Sequence, residues 1–294
     1  MNVSAKNWIW PACAFLFPLS GLSAGSLNET RDMAADGSVV VENIAGSIEL
    51  SAWDKAKIEI KGELGDDVKE VEISESQNGI HVRVIHKADI RHVDDTDLYL
   101  RIPVAASVEV ESVSADVDVN GSAGESIVVN TVSGDVEALG SPQRLEIRSV
   151  SGDVEFEGSS SRSAIETVSG EISLSGVSGE INVSTVSGDV SLVADEAGRA
   201  RFESVSGDMK LKLAVSDGGR LTGDSMSGDL VLRLPASQQA SFTAQSYSGD
   251  IRSDFGKAIS GSRGPGSTLE YHEGDNGATI RLESFSGDVH IRRQ

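Results

Sequence analysis

The chain has 294 residues, with 46 Asp and Glu against 25 Lys and Arg, a formal net charge of −21, one cysteine and only 4% aromatic residues. So acidic a surface repels phosphate backbones and anionic headgroups, which argues against nucleic-acid binding and against attachment to anionic membranes. A lone cysteine forms no internal disulfide, so a buried core must hold the fold.

In chain order, Met1 to Lys6 is a short polar start with one cation, and Trp8 to Leu22 is mostly apolar. Leu22-Ser23-Ala24 then offers the small residues a signal peptidase reads, so residues 1–24 are expected to be a signal peptide cleaved after Ala24. The apolar run is about fifteen residues, short of the roughly twenty that span a bilayer, and Pro11 and Pro18 interrupt it. No direct membrane insertion is expected once it is removed. Cys13 lacks an aliphatic lipobox approach, its predecessors being Trp10-Pro11-Ala12. Cleavage removes Lys6 and Cys13, taking the charge from −21 to −22. The product is expected to be exported, to the periplasm or the cell surface.

The rest is expected to be a single domain over 25–294. Residues 25–105 contain alternating segments without a clear repeat, such as Ser47-Ile-Glu-Leu50 and Lys57-Ile-Glu-Ile-Lys61. Irregular coils are expected at the end of a stacked structure, because they must cover an open core. Over 106–252 one hexapeptide recurs, as in Thr131-Val-Ser-Gly-Asp-Val136, Ser149-Val-Ser-Gly-Asp-Val154 and Ser204-Val-Ser-Gly-Asp-Met209. From Ala115 through Gly134, Gly152, Gly170, Gly188, Gly207, Gly228 and Gly249 the steps are 19, 18, 18, 18, 19, 21 and 21 residues. An extra copy, Val177-Ser-Gly-Glu-Ile181, reads as a duplicated corner. Residues 253–283 read as a loop and a hairpin-like segment turning at Asn276-Gly277, either a protruding hairpin or an imperfect coil, and 284–294 as a final coil.

Alternation flanks each corner: Leu145-Glu-Ile147-Arg precedes it and Val154-Glu-Phe156-Glu follows it. Period two marks a strand with one buried face. Strands this short cannot bury that face alone, whereas similar units stacked coil on coil merge their apolar columns. The fold class is therefore all-β, a parallel β-solenoid with about 18–21 residues per coil. The residue between the two serines (Val113, Val132, Val150, Val168, Val186, Val205, Met226, Tyr247, Phe285) has the opposite parity to Leu145 and Ile147. Burial by bending at the corner is expected for it, since exposure would create a long apolar patch.

With Ile44-Ala-Gly-Ser-Ile48 near the start, Arg101-Ile-Pro103 before the repeats and the Ser-x-Ser-Gly-Asp ladder after them, residues 36–294 resemble a bacterial family of β-strand-repeat domains of unknown function, labelled as candidate adhesins. The resemblance implies a right-handed β-helix-like fold and an envelope setting. It brings no catalytic residues.

Chemistry is sparse. The acidic positions after the corner, Asp116, Asp135, Asp153, Glu171, Asp189, Asp208, Asp229, Asp250 and Asp288, form an expected structural ladder, with Glu180 its counterpart in the extra copy. Equivalent acids in a column lack the asymmetry of a glycosidase pair, and a calcium site needs converging oxygens. His81, His86 and His92 lie near Asp89, Asp94, Asp95 and Asp97, but their spacing fits no compact zinc motif. The small residues Ser112 to Ser284 of the motif are expected to hydrogen-bond at the corner. The expected function is a non-catalytic exported scaffold or adhesin-like protein, with an envelope protein or glycan as partner and no cofactor or catalytic residue. The alternative is a β-helix polysaccharide lyase or hydrolase.

Overall fold

The computed structural model describes residues 25–88, 92–260, 266–274 and 277–294. The signal-peptide reading, Cys13, Asp89 and Asn276 lie outside them. The described chain is a continuous stack of strands in which neighbouring coils pair in parallel: Leu145 sits between Ile127 and Ser163, and Val154 between Val136 and Ile172. Backbone hydrogen bonds such as Val136 N–H to the Asp153 carbonyl (2.9 Å) and Val154 N–H to the Glu171 carbonyl (2.8 Å) tie each corner to the next coil. The all-β solenoid expected from the repeat is what forms.

Alternation places two apolar columns inside each coil. Ile127, Val129, Leu145, Ile147, Ile165, Ile181 and Val183 are buried before the corner, and Val136, Val154, Phe156, Ile172, Leu174, Val190 and Leu192 after it. Side-chain sizes compensate along a column. Phe202 pairs in register with Gly223 on one side and Val183 on the other, and a Cβ on Gly223 would lie 3.0 Å from the side chains of both Leu230 and Leu282. Glycine at that position keeps the density of the core without overpacking.

Antiparallel strands close both ends. The first full coil strand, Ser38–Trp53, pairs with Ser107–Ser122 on its inner side and with Gly79–His86 and Thr96–Pro103 on its outer side. Lys57–Glu63 then runs antiparallel to Thr96–Pro103, and Val68–Ser76 antiparallel to Gly79–His86. At the other end Ser267–Glu273 runs antiparallel to Ala240–Ser246. Covered ends remove the open edges that would otherwise template aggregation.

Three expectations are corrected here. Of the two readings of the hairpin-like segment, the protruding hairpin gives way to the imperfect coil: Ser267–Glu273 and Ala278–Ser286 pair with opposite edges of Ala240–Ser246, not with each other. The C-terminal coil is not the last layer either, because Ala278–Ser286 lies between Met209–Ser227 and Ala240–Ser246. The extra copy Val177 to Ile181 lies within the continuous strand Ile172–Ser187, which shifts register at Gly179, with Val177 buried and Glu180 in register with Arg162 and Arg199. Glu180 thus stands apart from the acidic column.

Candidate docking stripe and acidic ladder

At each corner the two serine positions and the glycine set the geometry. The first hydroxylated residue is buried throughout: Ser112, Thr131, Ser149, Thr167, Thr185, Ser204, Ser225, Ser246 and Ser284. Ser112 Oγ accepts from the Ala115 amide at 2.9 Å, and Ser246 Oγ donates to the Gly287 carbonyl at 2.9 Å. The hydroxyls of Thr131, Ser149, Thr185, Ser204 and Ser284 have no partner among the described atoms, so this column is held partly by packing alone.

The acidic ladder is a backbone tie. Asp135 N–H donates to Asp116 Oδ1 (3.0 Å), Asp153 N–H to Asp135 Oδ1 (2.8 Å) and Glu171 N–H to Asp153 Oδ1 (2.7 Å). Beyond Asp189 the pattern resumes through Asp208, Asp229, Asp288 and Asp250, at 2.8–2.9 Å. Among the described residues no such bond joins the Asp189 amide to the longer Glu171 side chain. Aspartate thus caps the next coil with one oxygen and leaves the other toward solvent. At about 4.8 Å, adjacent carboxylates repel by roughly 1 kcal/mol in water, an amount that one charge-assisted hydrogen bond per step offsets.

Between those two columns stands the residue whose burial was expected, and the structure reverses that expectation. Val113, Val132, Val150, Val168, Val186, Val205, Met226, Tyr247 and Phe285 are 44–59% exposed. The serines on either side hold it outward: the first is buried, and the second continues the ladder through bonds such as Ser151 N–H to the Val132 carbonyl (2.8 Å). Parity therefore wins over the avoidance of apolar exposure. Ile44 adds a tenth member at the N-terminal end, where Asn43 pairs with Ser112 and Ala45 with Ser114. In stack order the column runs Ile44, Val113, Val132, Val150, Val168, Val186, Val205, Met226, Phe285, Tyr247. The last two rings are parallel, with centroids 5.2 Å apart.

Acids line both flanks. The ladder lies on one side; two residues before the stripe come Glu42, Glu111, Asn130, Arg148, Glu166, Ser184, Glu203, Asp224, Glu283 and Gln245. Burial, then the neighbouring Glu283, pushes the Asp224 carboxyl above the usual range.

His81, His86 and His92 lie at the N-terminal end of the stack, whereas His272 and His290 lie in the C-terminal strands Ser267–Glu273 and Val289–Arg293. His81 Nε2 lies 2.7 Å from Glu42 Oε1, and the hydrogen bond from Arg83 holds that carboxyl below its usual range against the opposing effect of burial. His86 Nδ1 lies 2.8 Å from Asp67 Oδ2 in a buried pair. Burial raises the Asp67 carboxyl, but the hydrogen bonds from His86 and from the Asp94 amide outweigh it and leave the group below its usual range. No group of three His, Cys, Asp or Glu among the described residues is placed to hold a metal ion.

A stack of parallel coils with capped ends, carboxylate ties at the corners and one exposed apolar column is a β-solenoid. The chain belongs to the Toastrack DUF4097 family, whose model matches residues 36–218 and again 203–292. No curated protein matches it. Solved structures similar to it include a candidate lipid-binding protein from Parabacteroides distasonis (11% identity, 92% of this chain and 97% of that one, TM-score 0.47). Others are a candidate adhesin from Bacteroides fragilis (13% identity, 92% and 98%, TM-score 0.41) and a candidate cell adhesion protein from Clostridium sporogenes (10% identity, 92% and 100%, TM-score 0.26).

Proposed function

We propose that this protein is a non-catalytic binding scaffold of the bacterial cell envelope, exported by its N-terminal segment and acting in the periplasm or at the cell surface on an envelope protein or glycan. The observation that carries the reading is the exposed column from Ile44 to Tyr247 on a hydrogen-bonded ladder. Monomeric soluble proteins rarely keep so long an apolar strip without a use for it. The stack also holds the strip rigid, so a partner loses little by ordering it. A lyase or hydrolase would need carboxylates in unlike environments around one bond. Here the most regular array of acids is committed to backbone amides.

The test is photo-crosslinking in living cells. A photoreactive residue at Val168 should yield a discrete adduct in the envelope fraction, and one at Glu155, away from the stripe, should not. Recovery of the protein in the cytoplasmic fraction, or no adduct from any stripe position, would overturn the proposal.

A further inference from the structure

We infer that the stripe is a docking ridge for an amphipathic α-helix of a partner protein, its apolar face bordered by lysine or arginine. The inference rests on the scaffold reading and narrows its partner to one chemistry.

Charge is the first argument. One flank carries Asp116, Asp135, Asp153, Glu171 and their equivalents; the other carries Glu42, Glu111, Glu166, Glu203, Asp224 and Glu283, of which Glu42, Glu166, Glu203 and Glu283 are ion-paired with Arg83, Arg148, Arg201 and Arg281, so the ladder flank holds most of the uncompensated negative charge. A second copy laid on the stripe would bring acidic flank against acidic flank, with −21 on each chain. An anionic bilayer meets the same repulsion. A basic partner is attracted and steered instead. The stripe itself is aliphatic over most of its length, offering a sugar neither hydrogen bonds nor a stacking platform. Only Phe285 and Tyr247, at one end, present rings.

Backbone hydrogen bonding is the second argument. An extended peptide gains most of its affinity by adding to a free sheet edge. The stripe lies on the side of the stack, where the main chain is already bonded from coil to coil, as in Ser133 N–H to the Val113 carbonyl (2.7 Å) and Ser151 N–H to the Val132 carbonyl (2.8 Å). A lone strand there would leave its own amides unpaired, whereas a helix satisfies them internally. Spacing agrees: ridge residues recur about every 4.8 Å, closer to the 5.4 Å pitch of a helix than to the roughly 6.8 Å between same-side residues of a strand. Nine steps give a ridge of roughly 43 Å, room for a helix of about 28 residues.

The probe is an 18-residue fluorescent peptide of leucine and lysine patterned as an amphipathic helix, titrated against the exported full chain by anisotropy. The comparators are a leucine/glutamate helix, a serine/lysine peptide of equal charge and a strand-patterned valine/lysine peptide. The leucine/lysine helix should bind saturably and at least tenfold more tightly than each comparator. The combined change Val132→Ser, Val150→Ser, Val168→Ser and Val186→Ser should weaken it at least tenfold, whereas Leu139→Ser, an exposed apolar residue off the stripe, should leave it unchanged. If the serine variant loses its native melting transition, Val→Thr at the same positions keeps β-branching and serves instead. Equal binding by the stripe variant would show that charge alone attracts the peptide and would overturn the inference. So would equal binding by the strand-patterned peptide, or sedimentation showing a dimer that the stripe variant abolishes. A crosslink from Val168 to a partner offering a strand or a glycan would preserve the scaffold reading while overturning the helix; no crosslink at all would remove the scaffold reading first.

Discussion

Gly152 shows why the motif tolerates so little at its corner. Its φ is +129°, and a Cβ there would stand 2.2 Å from the carbonyl oxygen of Gly134, one coil away. The glycine serves coil-to-coil approach as much as the turn, since backbone from two layers converges where a side chain would be. Gly152→Ala is therefore expected to cost about 2 kcal/mol or more, read as a lower urea midpoint with an unchanged slope. Asp224 makes the opposite case. It sits in register between Glu203 and Glu283, and because its folded pKa is raised, its charged form is penalised at neutral pH. Stability from this group must then increase as the pH falls through the raised pKa. Asp224→Asn should raise Tm slightly at pH 7, with the gain shrinking toward acid; a lower Tm at pH 7 would contradict the assignment. For the ladder itself, calcium and magnesium should raise Tm to similar small extents by screening. A large, saturable rise with micromolar calcium alone would instead identify an ion-binding array.

At the level of the strand, alternation decides both what is buried and what is not. Ile147 lies fully inside, between Val129 and Ile165. Ile147→Asp would put a carboxylate into that column with no partner, at an expected cost above about 4 kcal/mol. Loss of cooperative unfolding in circular dichroism would be the sign; an unchanged melting curve would mean that the inward face is misassigned. The same parity was legible in the sequence for Val150 and its equivalents, and it pointed outward. The expectation of burial weighs apolar character above parity, and the structure shows parity prevailing: the first serine of each corner is buried and the residue after it is exposed. The repeat, coil length and inner columns could be read directly, since each follows from period two and one recurring corner. The stripe's use of Ile44 was less plain, because Ile44-Ala-Gly-Ser-Ile48 is a degenerate copy of the corner, and the pairing of Asn43 with Ser112 puts it in line. The backbone role of the aspartates was hidden too, as the sequence shows that acids recur but not which amide each one meets.

Across the whole molecule, the order of coils departs from the order of the chain at one place, and that place should govern assembly. After Leu230–Leu234 the chain passes over one layer, forms Ala240–Ser246 and Ile251–Ser253, and returns with Ala278–Ser286 and Val289–Arg293 to fill the layer it left. The corner tie follows the spatial order: Asp288 N–H donates to Asp229, and Asp250 N–H donates to Asp288, both at 2.9 Å. Gln238 helps hold the gap open, because its buried side chain bonds both the amide and the carbonyl of Val215 (3.0 and 2.9 Å) and so anchors the crossing segment to an earlier coil. Residues 240–253 therefore reach the stack chiefly through strands made last, a non-local arrangement that delays their docking. A chain ending at Gly274 should keep its coils up to Leu234 folded while 235–274 becomes open to protease, as limited proteolysis with mass spectrometry would show. The competing outcome is a slip in which Ser246-Tyr-Ser-Gly-Asp-Ile251, which carries the same corner as the missing layer, docks against Gly228. Protection of 240–253 in the shortened chain would mean that such a slip occurs. If Gln238 holds the gap, Gln238→Ala in that same shortened chain should increase the protected fraction.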